Sequence, residues 1–93
     1  MSHQVRFLLP ASFRPFTEGQ RSVTVAASSV RTALEALVTR MPSLKSHVID
    51  DSGHLQPYVN LFVDNQQITD LDSDAVALKN DSELLIVSAL AGG

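Results

Sequence analysis

Leu84-Leu85-Ile86-Val87-Ser88-Ala89-Leu90-Ala91-Gly92-Gly93 closes the 93-residue sequence, and its reading decides the fold. Leu84 to Val87 reads as a final strand, with Leu84 and Ile86 turned to a core and Leu85 and Val87 to the opposite face. After it come small residues and a diglycine. The chain has four glycines, Gly19, Gly53, Gly92 and Gly93, so half of them are its last two residues. Glycine serves where a backbone turns sharply or is approached closely. No turn follows Gly93, which leaves close approach. A strand that runs into such a tail presents a carboxylate on a slender thread, with no Cβ at its end to clash in a narrow channel. The carboxylate of Gly93 is the candidate working group, and residues 88–93 are expected to form a flexible tail outside the core.

Working back along the chain, Asn80-Asp81 reads as a tight turn before this strand, since asparagine tolerates left-handed backbone. Thr69 to Asp74 is acidic and loop-like, with Leu71 and Val76 as anchors. Tyr58 to Val63 carries the strongest strand pattern: Val59, Leu61 and Val63 on one face, Tyr58, Asn60 and Phe62 on the other. Asp64-Asn65 is a turn signal that leads to a short strand at Gln67-Ile68. Phe62, Leu85 and Val87 would share the outer sheet face, where nothing else in so short a chain covers them. A contiguous apolar group of that kind marks a partner surface.

Towards the N-terminus the periodicity changes. Val30, Ala33, Leu34, Leu37, Val38 and Met41 recur at helical spacing behind the caps Ser28 and Ser29. Arg31, Thr32, Glu35 and Arg40 fall on the solvent face, and Pro42 stops the run. Leu44, Val48 and Ile49 fit one further short turn. Val23 and Val25 mark a second strand, and Val5, Phe7 and Leu9 a first, ended by Pro10. The loop of residues 11–20 carries Phe13 and Phe16, which look exposed. The predicted order is strand, strand, helix, strand, short strand, strand: an α+β domain over residues 1–93, with one main helix on a mixed sheet.

Composition narrows the function. One domain of this length is expected. Cysteine is absent, which excludes a disulfide scaffold, a thiolate zinc or iron–sulfur site and a cysteine nucleophile. The formal charge is −3, with seven basic and ten acidic side chains and no basic stripe, so nucleic acid is not an expected partner. No apolar run reaches the roughly 20 residues of a membrane span. No secretory leader is visible, and a cytoplasmic protein is expected.

Taken together, the ββαββ order and the Ala89-Leu90-Ala91-Gly92-Gly93 terminus resemble the ubiquitin-like β-grasp sulfur carriers of the MoaD/ThiS family, most closely the CysO-like carriers. The opening strand from Val5 to Pro10, the loop from Phe13 to Gln20 and the strand from Tyr58 to Asp64 add to the likeness. Ser88 replaces a proline common before the tail in that family, and Asn80 a glycine common before the last strand.

The resemblance implies that an E1-like enzyme uses ATP to adenylate the carboxylate of Gly93 and that a thiocarboxylate replaces the adenylate. Ala89, Leu90, Ala91 and Gly92 would thread the partner's active site, while Phe62, Leu85 and Val87 form the docking face. The sulfur would then pass to a biosynthetic enzyme, with cysteine biosynthesis favoured. The molybdopterin synthase small subunit and a ubiquitin-like protein modifier are the alternatives. The chain itself is expected to hold no cofactor and to be a cosubstrate.

Other constellations are weaker. His3, His47, His54, Asp50 and Asp51 lack the spacing of a metal site. Asp64, Asp70, Asp72, Asp74 and Asp81 do not match a calcium loop and read as a solvated acidic edge. No nucleophile elbow and no glycine-rich phosphate loop occurs.

Overall fold

The computed structural model describes residues 2–72 and 76–89. Alternation of valine and phenylalanine with polar residues builds β1 (His3–Leu8) and β2 (Ser22–Ala27), which pair antiparallel with Val5 opposite Val25 and Phe7 opposite Val23. β1 also pairs parallel with β5 (Ser82–Ser88), Phe7 opposite Leu84 and Leu8 opposite Leu85. On the other flank of β5 lies β3 (Val59–Val63), antiparallel, and then the short β4 (Gln66–Ile68). The sheet order is β2-β1-β5-β3-β4, so the first and last strands of the chain lie side by side at its centre. A parallel pair demands a crossover, and the helix supplies it.

That helix, α1 (Val30–Arg40), is capped by Ser29, the second of the two predicted serines, while Ser28 precedes the cap. Ser29 Oγ accepts from the Thr32 N–H at 3.2 Å, and Thr32 Oγ1 accepts from the Ser29 N–H at 3.0 Å, a reciprocal capping box. Its apolar stripe, Val30, Ala33, Leu34, Leu37 and Val38, is buried against the inner sheet face. Phe7, Leu61, Leu84 and Ile86 meet it there, each at most 1% exposed. Pro42 stops the helix and opens a 3-10 turn (Pro42–Leu44) that passes into α2 (Lys45–Val48). This tucks Leu44 and Val48 under the core, as the short-turn reading predicts.

Several local readings are corrected. Residues Ala11–Phe16 form a 3-10 helix, not an irregular loop. Phe13 is buried, not exposed, and the half-buried Phe16 ring stacks on His47 with centroids 4.0 Å apart. The two rings reach back to cover the α2 end of the core, which alternation within their own segment could not reveal. At the turn before β5 the left-handed residue is Asp81, at φ 69°, rather than Asn80.

The acidic edge is partly structural. Arg31, expected in solvent, is held by Asp72 (Nε to Oδ1, 2.5 Å; Nη2 to Oδ2, 3.0 Å) and donates to the Gly53 carbonyl at 3.0 Å, so α1 ties two loops together. That pairing holds the Asp72 carboxyl below the usual carboxylate range. Asp64 and Asn65 take positive φ, 47° and 74°, the geometry of a tight hairpin turn. The Asp64 carboxylate accepts from the Glu83 N–H at 3.0 Å and the buried Ser82 hydroxyl at 2.9 Å, which clamps the turn to the start of β5.

Candidate functional site

β5 is the element on which the site is built. Its alternation sends Leu84 and Ile86 into the core, at most 1% exposed, and leaves Leu85 at 40% and Val87 at 39% on the outer face. They are the two large apolar side chains that remain exposed among the described residues. Register then selects their neighbours. Phe62 lies directly opposite Leu85 on β3, and Leu8 lies opposite it on β1. Strands stand about 4.8 Å apart, so Leu8, Leu85 and Phe62 form a transverse apolar row about 10 Å long. Leu8 and Phe62 are half-buried.

Val87 lies one strand repeat, about 7 Å, further towards the C-terminus. Opposite it stands Asn60, whose Oδ1 accepts from Gln67 Nε2 at 3.0 Å. In the other direction along β5 the same face carries Glu83, paired with Arg6 of β1. The face therefore runs from an ion pair, through the apolar row, to Val87 and the exposed Ala89. Its apolar part lies at the end where the tail begins.

The sheet also sets where the tail starts. Ser88 is the last residue of β5, opposite Val59, so the strand extends one residue beyond the predicted Val87. Ala89 donates its N–H to the Tyr58 carbonyl at 2.7 Å, one more rung of the β3–β5 ladder. Of the residues named for threading, Ala89 is thus anchored at the sheet. Leu90, Ala91, Gly92 and the reacting Gly93 lie outside the described residues.

Phe62, Leu85 and Val87 do share one face, as the alternation implies. Sequence reasoning missed Leu8, which completes the row, and the Tyr58 carbonyl that anchors the tail. The signal for Leu8 was its place out of phase with Val5 and Phe7, but its neighbour depends on the parallel β1–β5 pairing, which no local pattern encodes.

The histidines are dispersed: His3 sits in β1, His47 lies beneath Phe16, and the His54 N–H donates to Asp50 Oδ1 at 3.0 Å. Among the described residues no three His, Asp or Glu side chains converge as a metal site, and no helix is long and apolar enough to cross a membrane.

This chain was compared with known proteins. No family model matches it. Over 87 residues it is 26% identical to the sulfur carrier protein CysO of Mycobacterium tuberculosis, covering 91% of this chain and 94% of that protein. The chain is homologous to the CysO sulfur carrier. Among solved structures, small archaeal modifier protein 1 from Haloferax volcanii superposes with a TM-score of 0.81 at 28% identity, over 97% of this chain and 99% of the other. The Amycolatopsis orientalis BexX/CysO complex gives 0.80 at 22% identity, over 96% and 99%. The fold is the ubiquitin-like β-grasp, and the MoaD/ThiS likeness read from the sequence holds across nearly the whole chain.

Proposed function

We propose that this chain is a sulfur carrier whose working group is the Gly93 carboxylate, delivered to partner enzymes by docking through the outer sheet face. The observation that carries this reading is the homology to CysO over nine tenths of the chain, together with the apolar track that leads along β5 to the tail.

A carboxylate resists attack because its charge is shared over two oxygens. In the proposed reaction an E1-like enzyme lets one carboxylate oxygen attack the α-phosphate of ATP; pyrophosphate leaves and an acyl-adenylate forms. A sulfide-level donor then attacks the acyl carbon, AMP departs with its bridging oxygen, and the proton lost from sulfur leaves a thiocarboxylate. The chain contributes no acid or base to either step. It contributes a carboxylate, a thread and a docking face, and acts as a cosubstrate.

Geometry limits the thread. From Ala89 the four remaining residues span at most about 14 Å when extended. A partner that grips Leu8, Leu85, Phe62 and Val87 must therefore hold its ATP site within that distance of the sheet end. The sulfur is proposed to pass on to a biosynthetic enzyme in cytoplasmic cysteine biosynthesis. That fold neighbours include a CysO crystallised with a partner protein supports docking as the mode of action.

Intact mass spectrometry after incubation with ATP, a sulfide source and an E1-like enzyme tests the proposal. The expected result is a mass gain of one oxygen-for-sulfur exchange, localised to Gly93. An unchanged mass with enzyme that modifies a CysO control overturns it. The likeness to small archaeal modifier protein 1 favours one second reading, a modifier joined to lysine. Under that reading the same incubation with bulk protein yields isopeptide conjugates instead of a thiocarboxylate.

A further inference from the structure

The proposed docking face has a polar corner on the side where the tail departs. Asn60 stands opposite Val87 and two residues before Phe62, on the same face of β3. Gln67 of β4 stands opposite Phe62. The Asn60–Gln67 hydrogen bond, at 3.0 Å, therefore runs diagonally between the strands, and the two carboxamides border the apolar patch on its β4 side. The two-residue turn Asp64-Asn65, with both residues at positive φ, sets the β3–β4 register that brings them together.

A carboxamide carries two donor hydrogens and one acceptor oxygen. The mutual bond uses Asn60 Oδ1 and one hydrogen of Gln67 Nε2, which leaves the Asn60 Nδ2 donor and the Gln67 Oε1 acceptor. Among the described residues, neither of these has a hydrogen-bond partner. Turning both carboxamides over exchanges their roles and still leaves one donor and one acceptor.

Burial decides what must meet them. A partner that covers Val87 and Phe62 covers the half-buried Asn60 beside them. Its open donor then loses water, and a buried donor without an acceptor costs more than an ordinary hydrogen bond contributes. The same holds for the Gln67 acceptor. A charged group is the wrong answer here. The charged side chains on this face, Arg6 and Glu83, pair with each other, and Glu83 lies four residues, about 13 Å, from Val87. An ion placed on Asn60 is therefore buried beside apolar groups without a counter-charge.

We infer that the Asn60–Gln67 pair is a specificity-determining contact of the docking face, which takes one uncharged donor–acceptor group of the activating enzyme, the kind its main chain supplies. One extended residue offers its N–H and C=O on the same side, to meet Gln67 Oε1 and Asn60 Nδ2. The inference rests on the carrier reading and deepens it. Apolar contact through Leu8, Leu85 and Phe62 has no direction, and the amide pair adds one. It does so close to the thread, because Tyr58, whose carbonyl holds the Ala89 N–H, is two residues, about 7 Å, along β3 from Asn60.

The test uses the full chain and an E1-like enzyme that charges a CysO control. With the chain labelled with nitrogen-15 and no ATP present, the side-chain NH2 resonances of Asn60 and Gln67 are expected to shift or broaden as enzyme is added. In ATP–pyrophosphate exchange, Asn60→Asp keeps an acceptor for Gln67 and puts a charged acceptor where the donor stood. KM is expected to rise at least about tenfold with kcat held within about twofold. Gln67→Ala, at an exposed position, is expected to raise KM at least about threefold, and it decides the matter should Asn60→Asp fail to fold. Thermal midpoints of the folded variants are expected to stay within about 5 °C of wild type.

Variants that lose stability at an unchanged KM overturn the inference and make the pair a strut between β3 and β4. A lower KM for Asn60→Asp overturns it as well, since that result assigns a cation to the enzyme at this point. The two readings fail differently. A wild-type chain left uncharged by the enzyme overturns the carrier reading and this inference with it, whereas a charged wild type with unaffected variants overturns this inference alone.

Discussion

Leu85→Asp separates docking from folding, because Leu85 sits at the centre of the outer row with 40% of its surface in water. Full burial of a leucine stabilises by about 1.5–3 kcal/mol, so the exposed two fifths leaves about 0.6–1.2 kcal/mol for a partner to gain. Leu85→Ala should therefore weaken docking by about 1 kcal/mol, roughly fivefold. Aspartate adds an unpaired carboxylate under the partner, which costs a further few kcal/mol and brings the loss to about 100-fold or more. In the free chain that carboxylate stays in water. Stability then loses only the contacts with Leu8 and Phe62, about 1–2 kcal/mol, or about 5–15 °C in thermal midpoint for a chain of this size. The assay is ATP–pyrophosphate exchange by the E1-like enzyme with the carrier as varied substrate. KM should rise in the order wild type, alanine, aspartate, while kcat holds, because the reacting carboxylate is untouched and only uniform binding is lost. An unchanged KM for a folded Leu85→Asp chain would refute the docking role of this face.

An alanine appended after Gly93 should leave the thermal midpoint unchanged and abolish thiocarboxylate formation, read by intact mass. Asp64→Ala removes the acceptor for the Glu83 N–H and the buried Ser82 hydroxyl and places alanine at φ 47°, with an expected cost of about 2–3 kcal/mol in denaturant unfolding; Asp64→Asn, which tolerates that φ, should lose about half as much. The Glu83 amide and the Ser82 hydroxyl hold the Asp64 carboxyl below its ordinary value. Its contribution is therefore complete above the unfolded pKa, about 3.9, and is lost as pH falls through the lower folded value, so the wild-type advantage over Asp64→Ala should be flat from pH 5 to 8 and shrink below about pH 4. Leu37→Ala, at a fully buried position of α1, should cost about 2–5 kcal/mol by the same unfolding measurement. Arg31→Ala should change global stability by less than about 1 kcal/mol, since its ion pair is largely exposed, yet speed amide exchange in the loops around Gly53 and Asp72.

What the sequence disclosed follows from the range of the forces involved. Elements whose patterns are local and periodic were legible: α1 with its Ser29 cap, the inward Val59, Leu61 and Val63, and the outward Leu85 and Val87 all lie where alternation put them. Features that depend on a neighbour distant in the chain were not. Phe13 and Phe16 looked exposed because their segment has no period, and their burial is supplied by α2, some thirty residues on. Arg31 sits on the polar face of its helix as predicted, but Asp72, 41 residues away, converts it from a solvated cation to a strut. Leu8 joined the candidate face only through the parallel pairing of the first and last strands. The strand order β2-β1-β5-β3-β4 was invisible for the same reason, since it is a property of the whole sheet.

That strand order also bears on how the proposed docking face would recognise a partner. β1, β5 and β3 each have a neighbouring strand on both sides, so the proposed docking face above them would recognise a partner chiefly through the side chains of Leu8, Phe62, Leu85 and Val87. The tail issues from the middle of those three strands. Its base is fixed twice, by Ser88 opposite Val59 and by the Ala89 N–H on the Tyr58 carbonyl. A partner that grips the face thereby fixes the point from which the last four residues depart. Under the proposed function, face and thread would act together, with the face setting the origin and the four residues after Ala89 setting the reach.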